Sequence, residues 1–265
     1  MTNGADSPAS PPESDARVLS HLAIRQLVGL IGFALPTALY VYARIGPSDR
    51  MQPSISEFYY TAMGDVMVGC LVAIGTFLLT YRGYATRPER LPLGDRAAAV
   101  LAGLGAIGTA LFPTSGTVER ALCHGPEIDR CAAGNGIGRI DIGPVTGFGT
   151  LPDGLQDFLH IGSAVLFLGM LAYFCIALFP IGPMLKGNKA QALIYRALGY
   201  GILGSIVLIA IVKFLLPDTL EARLDQRNVT FWLETIAVFS FSAAWLMKGK
   251  PLRHPFGLNA PHPQV

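Results

Sequence analysis

Four titratable side chains interrupt stretches of this chain that are otherwise apolar: Asp65, His160, Lys213 and Glu234. A fifth, Glu57, lies eight residues before Asp65, with Tyr59 and Tyr60 between them, and Asp157 stands near His160. Glu57, Thr61 and Asp65 recur at i, i+4 and i+8, so a helix through them presents all three on one broad face. Two chemistries suit such a set. Asp65, His160 and Glu234, helped by Glu57, are the donor types of a divalent metal such as zinc, which would activate water to hydrolyse a lipid. The same residues with Lys213 also suit a polar pocket that holds a lipid head group or small ligand, or relays protons, with no covalent step. The pocket has fewer special requirements and is the preferred expectation, with no cofactor; zinc belongs to the alternative.

Each residue also has a plainer role. Lys213 can neutralise Asp65 or Glu234 and hold helices in register. Ser54-x-x-Glu57 has the spacing of a capping box for the helix that follows. His160 can cap or snorkel at a membrane edge. Asp65 is hardest to explain this way, because a carboxylate one turn below the surface loses solvation with no cap to form. Of the five histidines, His21, His254 and His262 fall in segments assigned below to the other side of the membrane. Only His124 and His160 remain, which excludes a three-histidine zinc site within one chain. The sequence contains no His-Glu-x-x-His, Gly-x-Ser-x-Gly or Walker motif.

What must position these residues is a set of long apolar runs. The chain has 265 residues, 51% hydrophobic and only 14% charged, against roughly 25% charged in a soluble domain. Six runs approach the roughly 20 residues that cross a bilayer as a helix: about Leu27–Ile45, Thr61–Tyr81, Ala97–Pro113, Phe158–Pro180, Ala197–Leu216 and Thr230–Met247. The fold class expected is an all-α, polytopic six-helix bundle. Ala99, Ala102, Gly103 and Ala106 fit the third run for close helix packing. With the N-terminus inside, the inner segments hold twelve Lys and Arg against six in the outer loops. The positive-inside rule then places both termini in the cytoplasm of a bacterial plasma membrane. Alternation brings Asp65, His160, Lys213 and Glu234 to one depth beneath the outer surface. Trp232 and Trp245 fall near opposite ends of the last run, as an aromatic belt would place them.

The domain organisation expected is a disordered tail over 1–20, a membrane domain over 21–247 and a second tail over 248–265. No cleavable signal sequence is evident. The outer loop, 114–157, carries Cys123 and Cys131, which an oxidising compartment would join as a disulfide or leave as two thiols. Cys70 and Cys175 read as packing residues. The net charge of +2 and the lack of a basic cluster argue against nucleic acid as a partner; membrane lipids are the partner expected. A third function class, a structural or assembly factor, would use small residues such as Gly201 and Ser205 for helix packing.

Three short stretches carry a resemblance. They are Ser54-Ile55-Ser56-Glu57 before Asp65, then Ala110-Leu111-Phe112-Pro113-Thr114, then Leu159-His160-Ile161-Gly162-Ser163-Ala164. Their order resembles bacterial six-span families of unknown function and, more distantly, DRAM/Sfk-type membrane proteins. The resemblance covers residues 54–180 and implies a six-helix bundle with an outward polar face; it implies no activity. A looser likeness to alkaline ceramidase-like hydrolases lacks the His-x-x-x-His pair in the last run, where Glu234 is the main charged group.

Overall fold

The computed structural model describes residues 13–45, 51–81, 83, 91–114, 117–120, 138–141 and 153–249, with side chains from Ala23 onward apart from the two short strands and Asp153. The chain is built from helices: α1 (Glu13–Ile45), a 3-10 turn (Ser56–Tyr60), α2 (Gly64–Thr80), α3 (Asp95–Leu111), α4 (Asp153–Tyr173), α5 (Ile181–Leu185), α6 (Lys189–Phe214), α7 (Asp218–Asp225) and α8 (Val229–Gly249). A two-stranded antiparallel ribbon, β1 (Thr117–Arg120) with β2 (Gly138–Asp141), lies in the loop between α3 and α4. Cys123 and Cys131 lie outside the described residues.

Four helical stretches are long and apolar enough to cross a membrane: Ala23–Ile45, Gly154–Leu185, Lys189–Phe214 and Val229–Gly249. The second and third expected runs are shorter helices of 17 residues each, about 25 Å long at 1.5 Å per residue. They are held from the sides. Helix α1 packs on α2, α2 on α3, α3 on α4, α4 on α6, α6 on α8, and α8 returns to α1, so six helices close a ring. Helix α3 is wedged between neighbours through Ala98, Ala102, Gly103, Gly105, Ala106 and Ala110, all buried. This bears out the close packing expected of its small residues. A Cβ on Gly103 would lie 2.8 Å from the Gly75 carbonyl oxygen, and one on Gly105 would lie 2.6 Å from the Phe167 amide nitrogen. Helix α6 turns the other way, leaving Leu193, Tyr200, Val207, Leu208 and Phe214 exposed, as a lipid-facing helix should.

Several boundaries and packings differ from expectation. Helix α1 begins at Glu13, inside the segment assigned to the disordered tail. The fourth run is not one regular helix: after Tyr173 it passes through a π turn, Phe174–Leu178, and then into α5. Pro180 has no N–H to donate to the carbonyl four residues back, and Phe179 instead bonds the Phe174 carbonyl five residues back at 2.8 Å. Trp232 is 44% exposed, but Trp245 is 1% exposed. Trp245 packs edge-on against Tyr81, Phe174, Phe179 and Phe241, so it is a core residue and not part of a belt. Gly201 and Ser205 face inward too: a Cβ on Gly201 would meet Ser240 on α8 at 3.3 Å, and Ser205 is buried. Those small residues serve packing within the chain.

Candidate functional site

The end of the ring where α4 and α8 begin and α3 finishes is threaded by the segment 51–60. Its backbone is tied to α8 by the Phe231 amide, which donates to the Pro53 carbonyl at 2.7 Å. The Ile55 amide donates to the Glu234 carboxylate one turn further along. Ser54 and Glu57 bond each other as their spacing suggested: the Glu57 amide donates to Ser54 Oγ at 3.2 Å, and that hydroxyl lies 3.3 Å from Glu57 Oε1. The box heads the short 3-10 turn and not α2, which begins seven residues later, so the capping expectation is corrected in that respect.

His160, two turns inside α4, joins three parts of the chain. Its Nδ1 lies 2.6 Å from the Phe112 carbonyl oxygen and its Nε2 lies 3.0 Å from Ser56 Oγ. A carbonyl can only accept, so Nδ1 carries the proton. Nε2 then offers its lone pair to the Ser56 hydroxyl. Four residues earlier on the same face, buried Gln156 donates from Nε2 to the Pro113 carbonyl at 2.8 Å. The Phe112 and Pro113 carbonyls, where the chain leaves α3, have no intrahelical partners, and two side chains of α4 satisfy them. Tyr60 closes the same region, its hydroxyl donating to the Thr114 carbonyl at 2.6 Å. Burial pushes the Tyr60 phenol up to about 12, with nearby Tyr59, Asp157 and Glu57 adding to the effect. The three stretches that carried the sequence resemblance therefore meet at His160.

Of the five residues expected to share a site, three gather around this segment: Glu57, His160 and Glu234. Lys213 does not pair with Asp65 or Glu234. Its Nζ lies 3.0 Å from Glu221 Oε1 and 2.9 Å from Asp225 Oδ2, which clamps α7 beneath the last turn of α6. Lys213 does make structural ion pairs, but with a helix between the spans and not with the partners expected. Asp65 is corrected outright. It is exposed, sits in the first turn of α2, where a carboxylate suits the positive end of the helix dipole, and makes no hydrogen bond or ion pair among the described residues.

The proposed zinc set of Asp65, His160 and Glu234 does not converge. Among the described residues no group of three or more His, Cys, Asp or Glu side chains is placed to hold a metal, and both His160 nitrogens are already engaged. No protein-family model, curated protein or solved structure matches the chain.

What remains open at this end is a set of oxygens able to accept further hydrogen bonds. Glu234 uses Oε2 for the Ile55 amide, and Oε1 has no hydrogen-bond partner among the described residues. The buried oxygens Gln156 Oε1, Thr230 Oγ1 and Thr235 Oγ1 also lack partners. Ser56, Gln156 and the carbonyls of Phe112 and Pro113 had not been singled out as site residues. The readable signal was the pair Gln156 and His160, four residues apart near the start of the helix that follows α3, whose end needed donors.

Proposed function

We propose that this chain is a six-span protein of the bacterial plasma membrane with both ends cytoplasmic, and that a polar pocket at its outer face holds a small ligand or lipid head group rich in hydrogen-bond donors, without covalent chemistry. The observation that carries this reading is the second carboxylate oxygen of Glu234. A carboxylate at membrane depth is costly unless its oxygens receive donors; the Ile55 amide serves only Oε2, and three buried oxygens of other side chains at this end of the bundle lack partners. An ammonium or polyol head group supplies what those acceptors lack. Counting the shorter α2 and α3 as spans is supported by their place in a closed ring with the four longer helices.

The test compares phosphatidylethanolamine with phosphatidylcholine in nanodiscs. Both are zwitterionic, but only the first has N–H donors. The expected result is preferential retention of phosphatidylethanolamine, measured by native mass spectrometry. Glu234→Gln should abolish that preference, because the amide keeps one oxygen for the Ile55 N–H and puts an NH2 group in place of the free acceptor. Equal retention of both lipids by the wild-type protein overturns the donor-rich head group.

A further inference from the structure

The opposite end of the ring carries a different kind of site. A cleft of about 330 Å³ opens between α5, the start of α6 and the end of α8, with Lys186, Asn188, Gln191, Tyr195 and Lys248 in its lining. That volume is at the small end of ligand sites, about 300–1,000 Å³. Two of the lining residues are cations and none is acidic. Such a lining attracts an anion.

The polar wall is ordered by the sequence of the α6 start. Asn188 caps the helix, its Oδ1 accepting from the Gln191 amide at 3.0 Å, and its Nδ2 donates to Gln191 Oε1 at 3.3 Å. Gln191 Nε2 in turn reaches the Tyr195 hydroxyl at 3.5 Å. Across the cleft, Lys248 Nζ lies 3.4 Å from the Phe179 carbonyl oxygen and 5.2 Å above the Phe179 ring. The ammonium is thereby held at the rim rather than left to wander. Lys186 is exposed at the end of α5, where Gly187 turns the chain with φ +73°. Beneath the polar layer lies the aromatic nest of Trp245, Phe179 and Tyr195, so the cleft sits at the boundary between an apolar interior and water.

We infer that this cleft binds a phosphate group, and that the group belongs to the head of an anionic lipid in the adjoining leaflet. Two ammonium groups with an amide and a phenol between them match the charge and acceptors of a phosphate. The position at the end of two spans puts it at head-group depth. This inference is independent of the Glu234 pocket, which lies at the other end of α8.

The test measures lipid retention on the full chain in nanodiscs containing phosphatidylglycerol or phosphatidylcholine, with glycerol 3-phosphate as a soluble competitor. One phosphatidylglycerol should be retained per chain. Lys186→Gln with Lys248→Gln should weaken it at least ten-fold, and Lys186→Gln alone, at an exposed position safe for folding, should weaken it several-fold. The charge-matched pair Lys189→Gln with Arg196→Gln, on the same helix end but outside the cleft, should leave retention unchanged. Displacement by glycerol 3-phosphate would identify a phosphate site open to soluble ligands; resistance to it would identify the lipid as the source. Equal loss in both double variants, or loss in neither, overturns the inference.

Discussion

Replacing Gly105 by alanine tests how the polar end is held. The new Cβ would lie 2.6 Å from the Phe167 nitrogen and 2.8 Å from the Ser163 carbonyl oxygen, both backbone atoms of α4, where ordinary contact starts at 3.4 Å. Helices α3 and α4 must therefore separate by about 0.8 Å at this level. The same gap is spanned about two turns later by the His160–Phe112 and Gln156–Pro113 hydrogen bonds, at 2.6 and 2.8 Å. Carried along the helices, the displacement stretches them to about 3.4 and 3.6 Å, at or beyond the limit of a hydrogen bond. Overpacking costs about 1–3 kcal/mol, and weakened buried bonds add about 1–2 more. The better helix propensity of alanine returns about 1. A net loss of about 1–4 kcal/mol should lower the unfolding midpoint by roughly 3–12 °C in detergent. Gly169→Ala is the control: a Cβ there meets nothing within 4 Å, so only the propensity gain applies and the midpoint should hold or rise. If Gly105→Ala matches Gly169→Ala, the close approach of α3 and α4 does not support the site.

Further outcomes follow from the same geometry. Lys213→Met should release α7 and speed tryptic cleavage at Arg223 or Arg227 several-fold, while costing no more than about 1 kcal/mol, because the ion pairs are part-exposed; unchanged cleavage would show that α7 needs no clamp. His160→Ala should cost about 2–3 kcal/mol through two lost hydrogen bonds, whereas Asp65→Asn should cost less than about 1, and neither should alter the metal content of the purified protein. Metal lost in either variant would revive the hydrolase. The Tyr60 phenol ionises at about 12 when folded and near 10 when unfolded. Its contribution is therefore complete below pH about 10 and is lost as pH rises toward 12. Two pH units correspond to about 2.7 kcal/mol at face value, and solvent at the half-exposed ring cuts this to about 1. Tyr60→Phe should flatten the alkaline fall in stability over that window; an unchanged curve would assign the fall to other groups.

The parts of this molecule that could be read in its sequence follow from simple costs. Charge in hydrocarbon is expensive, so Glu57, His160 and Glu234 stood out, and the structure brings them around one short segment. Small residues in an apolar run imply close backbones, and α3 confirms it. Lys213 was misassigned because its partners were sought among the spans, while Glu221 and Asp225 lie four residues apart on a short polar helix outside them. Asp65 misled because the second helix starts at Gly64 and not at Thr61, which moves the carboxylate from inside the span to its first exposed turn. The His160 partners include a main-chain carbonyl, which no residue type announces. Only the requirement that a helix end find donors points to it.

The contrasting settings of the two tryptophans give this protein a built-in optical readout of both its ends. With only two indoles in the chain, Trp245 in its dry nest should emit at short wavelength and resist aqueous quenchers, while Trp232, tilted against Tyr40 and edge-on to Phe231 at the start of α8, should respond to them. Occupancy near Glu234 and occupancy of the lysine cleft can therefore be followed separately, by colour, on one unlabelled sample.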